Sequence, residues 1–98
     1  MDAMKGAWVY IMTNRANGTL YIGVTNDIVR RAYEHRTGIG SQFTTRYGLS
    51  RLVYVEWHDD ILAPIQREKN MKNWLRAWKA RLISRTNPEW RNLYDDLV

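Results

Sequence analysis

A chain of 98 residues has room for one hydrophobic core, and folding at this size buries roughly 60 to 65% of the unfolded surface. It has no cysteine, which excludes disulfides, thiolate metal sites and cysteine nucleophiles together. A formal charge of +5 and a pI near 9.8 point to a polyanionic partner, nucleic acid first.

No apolar run approaches the roughly 18 to 20 residues that span a bilayer, and Met1 to Ala7 lacks the apolar centre of a secretory signal. The expectation is a single cytoplasmic domain over residues 1–98 with no membrane partner. No repeat, linker or low-complexity tract divides it.

The first elements are two aromatic and β-branched runs, AWVYIMT at 7–13 and TLYIGVT at 19–25, separated by a segment ending in Asn17-Gly18. Asn-Gly between such runs is a strong hairpin signal, because both central residues of a type I′ turn need positive φ. A two-residue turn there pairs Tyr10 with Thr25 and Asn14 with Tyr21. Val9, Ile11, Leu20, Ile22 and Val24 then form an apolar face that is expected to be the core side. Trp8, Tyr10, Met12, Tyr21, Gly23 and Thr25 share the other, where the bare Gly23 leaves room for a close approach.

A helix follows from Asp27 to about Thr37, capped by Thr25 or Asn26 and ended at Gly38. It carries Ile28, Arg31, Ala32 and His35 along one side, with Arg30 and Glu34 paired towards solvent. Ser41 is expected to cap a short helix that runs to Tyr47 and ends at Gly48. The stretch RLVYVEW at 51–57 reads as a third strand, with Leu52, Tyr54 and Glu56 on one face and Val53, Val55 and Trp57 on the other.

A long helix is expected from Ile61 to Ser84, with Pro64 tolerated in its first turn and a stripe of Met71, Trp74, Leu75, Trp78 and Leu82. Trp74 and Trp78 are assigned to the core. Glu68 lines up with that stripe, and an inward carboxylate needs a cation, a metal or an internal partner such as Lys72. The same helix bears Arg67, Lys69, Lys72, Arg76, Lys79, Arg81 and Arg85, a surface suited to tracking phosphates. Pro88 is expected to open a last helix over Glu89 to Leu97. The fold class is α+β, a small three-stranded antiparallel or mixed sheet flanked by helices.

The segments Trp8-Val9-Tyr10 and Tyr21-Ile22-Gly23, followed by Arg31, His35 and Glu68 on a later helix, resemble the GIY-YIG endonuclease domain. The resemblance spans about Ala7 to Leu93. YIGVTNDIVRR carries most of it; WVY stands where GIY is usual. The runs REKNMKNW and NPEW are similar to small single-domain members. It implies phosphodiester hydrolysis with one Mg²⁺ or Mn²⁺ per site held by Glu68, Arg31 stabilising phosphate charge, and a tyrosine activating water with help from His35.

On that resemblance Tyr10 is assigned as base and Tyr21 as its positioning partner. Gly23, Arg30, Arg46, Lys69, Lys72, Lys79 and Asn87 are assigned to nucleic-acid contact. Little sequence preference is expected, with DNA favoured over RNA and target choice left to nucleic-acid structure or to a targeting protein. Two other readings fit the same residues: a nucleic-acid-binding module without catalysis, and a basic structural protein in which Glu68 closes a salt bridge.

Overall fold

The structure, a computed structural model, describes residues 6–38 and 42–97, and the side chains of 42 and 43 are left aside. Three strands, β1 (Ala7–Thr13), β2 (Leu20–Thr25) and β3 (Arg51–His58), form one antiparallel sheet in the order β2-β1-β3. Around it lie α1 (Ile28–Arg36), α2 (Gln42–Tyr47), α3 (Leu62–Lys72), α4 (Arg76–Thr86) and α5 (Tyr94–Leu97).

The hairpin forms, but its register differs by two residues from the expected one. Tyr10 pairs with Gly23 and Met12 with Tyr21. The chain turns one residue earlier, through a Gly18 N–H to Arg15 carbonyl bond of 2.9 Å that puts Asn17, at φ 57°, inside the turn and Gly18 at its end. The Asn14 carboxamide accepts from the Thr19 N–H at 3.1 Å and closes the loop. A slip of two leaves every side chain on its expected face, since strand periodicity is two.

Both faces are buried, where one core side was expected. Val9, Ile11 and Ile22 join Met71, Ile83 and Trp90 on one side. On the other, Tyr10 and Met12 pack with Ile28, Ala32, Leu49 and Leu52. The C-terminal segment wraps the open edge of β3: the Leu93 N–H donates to the Leu52 carbonyl at 2.7 Å, and Asn92 accepts from the Leu52 N–H at 3.2 Å. Trp90 thus seals one face while Leu93, Tyr94 and Leu97 pack on the other.

In β3 the expected alternation fails at a bulge, where Ile11 pairs with Tyr54 but Met12 pairs with Leu52. Val53 is the extra residue, so Leu52 turns to the Tyr10 face and Val53 joins Tyr54 on the opposite one.

The N-cap of α1 is Asp27, whose carboxylate accepts from the Arg30 N–H at 3.1 Å, while Thr25 Oγ1 accepts from the Asp27 N–H. Gly38 ends the helix region with φ 85°, and Gly48 does the same after α2 with φ 65°. The expected Ser41 cap falls outside the described residues.

The long helix is two helices. The chain leaves α3 at Asn73, which caps it through a 3.2 Å bond to the Lys69 carbonyl, and Leu75 takes up extended backbone with ψ 146° before α4 begins. The break lets Met71 and Ile83 both reach the same core, and it throws Leu75 (62% exposed) and Trp78 (49% exposed) outward. Arg76, first in α4, donates to the carbonyls of Asn17 and Gly18 and ties the break to the hairpin turn.

The last helix is shorter than expected. Pro88 sits in a turn after α4, Trp90 has φ 54°, and only Tyr94–Leu97 is helical.

Candidate active site

Tyr10 lies at the centre of the sheet face covered by α1 and is 2% exposed. Its ring fills the space above its cross-strand partner: a Cβ on Gly23 would lie 2.5 Å from the Tyr10 hydroxyl and 2.6 Å from the ring carbon bearing it. The clearance at Gly23, expected for a substrate backbone, is therefore occupied by Tyr10 itself. A glycine directly across from an aromatic lets the ring lie flat on the neighbouring strand.

The Tyr10 hydroxyl is 3.1 Å from His35 Nε2, and His35 Nδ1 is 2.9 Å from Thr44 Oγ1; both bonds are buried. Tyr21 completes the group, its ring centroid 6.3 Å from that of Tyr10 and 5.7 Å from that of His35. The two tyrosines come from adjacent strands of one face and His35 from the last turn of α1, so the short β2-α1 connection brings the three rings together.

Burial pushes the Tyr10 hydroxyl well above the usual phenol range, helped by Tyr21 and the Glu68 carboxylate and opposed by the Arg31 charge. Burial, with Arg31, also lowers His35 below its ordinary 6.5 against the opposing pull of Glu34. Near neutral pH Tyr10 is thus a neutral donor and His35 a neutral imidazole. A Tyr10 hydroxyl that donates to Nε2 requires the histidine proton on Nδ1, facing Thr44 Oγ1. Sequence reasoning missed Thr44; its only signal was a threonine in the helix after α1.

Arg31 acts on both Tyr10 and His35, and it and the more exposed Arg30 are ion-paired to Glu34 at 3.6 and 3.3 Å. With Thr25, Asn26 and Asp27 they line an open polar cleft of about 550 Å³. Glu68, on α3, is half-buried, and its Oε2 stands 3.0 Å from Lys72 Nζ. The expected Lys72 pair therefore forms, while the Glu68 charge still acts on Tyr10.

A second network holds α3 in place. Arg67 makes two bonds to Glu56, at 3.0 and 3.1 Å, and Glu56 also accepts from Tyr54 and contacts His58, both at 2.8 Å. Burial alone would raise the Glu56 pKa, but the bonds from Arg67, His58 and Tyr54 outweigh it and hold the carboxyl below its usual range. Because Arg67 adjoins Glu68, this clamp sets the rotation of the helix that carries the candidate metal carboxylate.

Among the described residues no cluster of three or more His, Cys, Asp or Glu side chains could hold an ion. That excludes, for those residues, a closed zinc-type cage. A hard divalent ion of the Mg²⁺ type needs only one or two carboxylates, its shell being completed by water and phosphate oxygens. Glu68 would supply that carboxylate, with Lys72 as the cation to be displaced.

The nucleic-acid residues divide. Lys72 and Lys79 line a shallow hollow of about 280 Å³ with Leu20, Tyr21 and Ile22. Arg30, Arg46 and Lys69 are exposed, Arg46 lying over the Tyr47 ring at 5.6 Å. Asn87 is 4% exposed, and its amide nitrogen donates to the carbonyls of Val53 and Arg91 while its oxygen accepts from the Arg91 N–H. Such an amide has no group left for a phosphate, so its expected contact with nucleic acid is withdrawn.

The sequence profile of the GIY-YIG catalytic domain matches residues 6–81. The chain belongs to the GIY-YIG family. Among its relatives, the UPF0213 protein of Natronomonas pharaonis is 38% identical over 79% of this chain and 89% of its own. That of Staphylococcus saprophyticus is 34% identical over 83% of this chain and 98% of its own. The solution structure of a UPF0213 protein from Bacillus halodurans superposes with a TM-score of 0.55 at 29% identity, covering 89% of this chain and 92% of that one.

Membership in this GIY-YIG nuclease family implies a nucleic-acid substrate. Among the described residues no helix is long and apolar enough to cross a membrane.

Proposed function

We propose that this GIY-YIG protein is a metal-dependent endonuclease that hydrolyses phosphodiester bonds with little sequence preference. The observation that carries the reading is the gathering of Tyr10, Tyr21, His35 and Arg31 on one sheet face, with the Glu68 charge acting on the same hydroxyl.

The buried, raised Tyr10 hydroxyl is a poor first acceptor of a proton from water, which reverses the roles assigned to the tyrosines from the sequence. Tyr21, the more exposed of the two, is the better group to meet the attacking water. As water attacks phosphorus, its proton passes to the Tyr21 oxygen, the Tyr21 proton to the Tyr10 oxygen, and the Tyr10 proton to His35 Nε2. The imidazole ends as imidazolium and neither phenol has to become phenolate. Thr44 holds the receiving tautomer throughout.

Arg31 provides fixed positive charge where the non-bridging oxygens gain negative charge. A Mg²⁺-type ion bound by Glu68 would supply Lewis-acid stabilisation of the leaving oxygen.

The test is cleavage of plasmid, single-stranded, branched and RNA substrates with Mg²⁺ or Mn²⁺, comparing wild type with Glu68→Gln and Arg31→Ala. Each substitution is expected to lower the rate by roughly 10²- to 10³-fold, the usual size of a lost charge-stabilising group. Equal rates in all three proteins would sink the assignment.

A second reading, a nucleic-acid-binding module without catalysis, has its own support: Glu68 is already paired with Lys72 at 3.0 Å, as a carboxylate with no metal to hold would be. Binding without cleavage, unchanged in both variants, would favour that non-catalytic module.

A further inference from the structure

At the border between α4 and the core lies a groove of about 200 Å³ lined by Trp78, Arg81 and Arg85 together with Trp74 and Leu82, which pack against the core. Trp78 was expected in the core, yet it is half exposed, its edge set against Trp74 at 6.4 Å and 73°. The two indoles differ in availability. Trp74 is covered by the Arg67 guanidinium at 5.1 Å, whereas among the described residues Trp78 has no such cover. Arg81 and Arg85, one turn apart beside it, make no ion pair among the described residues, and α4 contains no acidic residue.

An exposed aromatic with flanking free guanidiniums is the combination that takes a stacked base and its phosphates. The helix that bears the groove also borders the proposed site. Lys79 follows Trp78 in α4, reaches back to the Lys72 carbonyl at 3.5 Å and, with Lys72, lines the hollow that holds Tyr21.

We propose that this groove binds an unpaired nucleotide of single-stranded DNA, a few nucleotides from the bond presented at Tyr21. Trp78 stacks the base while Arg81 and Arg85 hold the flanking phosphates. A base inside a duplex has both faces covered and cannot enter. The apolar surface of Leu82 and the indoles suits a thymine methyl, which uracil lacks. Single-stranded DNA is therefore the favoured occupant over RNA. The proposal rests on nucleic acid being the ligand, as above, but not on cleavage.

Binding is read by fluorescence anisotropy of labelled oligothymidylate, oligouridylate and a duplex of equal length, with EDTA present, in the Glu68→Gln background so that no cleavage intervenes. Trp78→Ala should weaken oligothymidylate binding roughly 5- to 100-fold, the worth of one stacked base, and Trp78→Phe should restore most of it. Duplex binding should change less than about twofold under this stacking assignment.

Arg85→Gln should reduce the slope of log affinity against log salt by roughly one phosphate contact. Thermal melting of each variant at an unchanged midpoint shows that the fold is intact, as expected for half-exposed Trp78. The proposal is overturned by undiminished oligothymidylate binding in Trp78→Ala, by equal loss on the duplex, or by oligouridylate binding as tightly as oligothymidylate. Sedimentation that shows a dimer broken by Trp78→Ala would overturn it too, assigning the groove to a second copy of the chain. Because binding is measured without metal or turnover, an absence of nuclease activity leaves this result standing.

Discussion

Gly23 is where a missing side chain does the most. Its absent Cβ is the floor on which the Tyr10 ring lies, and the ring in turn carries the hydroxyl bound to His35. Gly23→Ala puts a methyl within 2.6 Å of ring carbon, so Tyr10 must move. The expected result is a loss of about 1 to 3 kcal/mol of stability in urea titrations, typical of overpacking, together with a loss of activity out of proportion to it. A fully stable, active alanine variant would show that the ring has another resting place.

His35 carries a prediction with a sign. Its folded pKa is below the unfolded 6.5, so the unfolded chain binds the extra proton first as pH falls. The stability this neutral histidine contributes is complete above about pH 6.5 and declines as pH drops below it. His35→Gln, which keeps a polar side chain but cannot titrate, should lack this part of the decline. Urea midpoints at pH 7.5 and 5.5 for both proteins measure it; parallel losses would remove His35 as the cause.

At the scale of elements, each surprise arises where a segment serves two neighbours. The bulge at Val53 lets β3 pair with β1 and still send Leu52 to one core and Val53 to the other. Asn87 ends α4 and at the same time binds β3 at Val53 and the chain at Arg91, so one amide fixes the helix, the strand and the C-terminal wrap. Asn87→Ala would leave buried backbone groups unpartnered. Each such group costs about 1 to 3 kcal/mol, so a marked drop in thermal midpoint is expected, with any effect on nucleic-acid affinity following from it. An alanine variant with the wild-type midpoint but weakened binding would instead restore Asn87 to the interface.

The break between α3 and α4 belongs here as well. Apolar residues at helical spacing continue across it, and the turn at Asn73 brings Met71 and Ile83 into one core.

For the molecule as a whole, strand periodicity, a turn signal and residue chemistry carried a good share of the fold and the site. The three strands, the helix after β2 and the faces of Tyr10 and Tyr21 follow from alternation and spacing, which are local properties of the chain. The face assignment survived a two-residue register error because parity, not the exact turn, decides which way a strand residue points. The shared face of Tyr10 and Tyr21 and the side of α1 that bears Arg31 and His35 were legible for the same reason, whereas Glu68 was joined to them by the family resemblance, the stripe it was aligned with being broken at Asn73.

What only the tertiary structure decided is burial, since that depends on what arrives from elsewhere in the chain. The C-terminal wrap and α1 made the second face a core and left Tyr10 sealed, so that Tyr21 became the group nearer solvent. Tyr10 filled the gap at Gly23, Thr44 supplied the partner of His35, and the helix break placed Trp78 outside. Periodicity tells which face a residue shares; only the packed neighbour tells whether that face is covered.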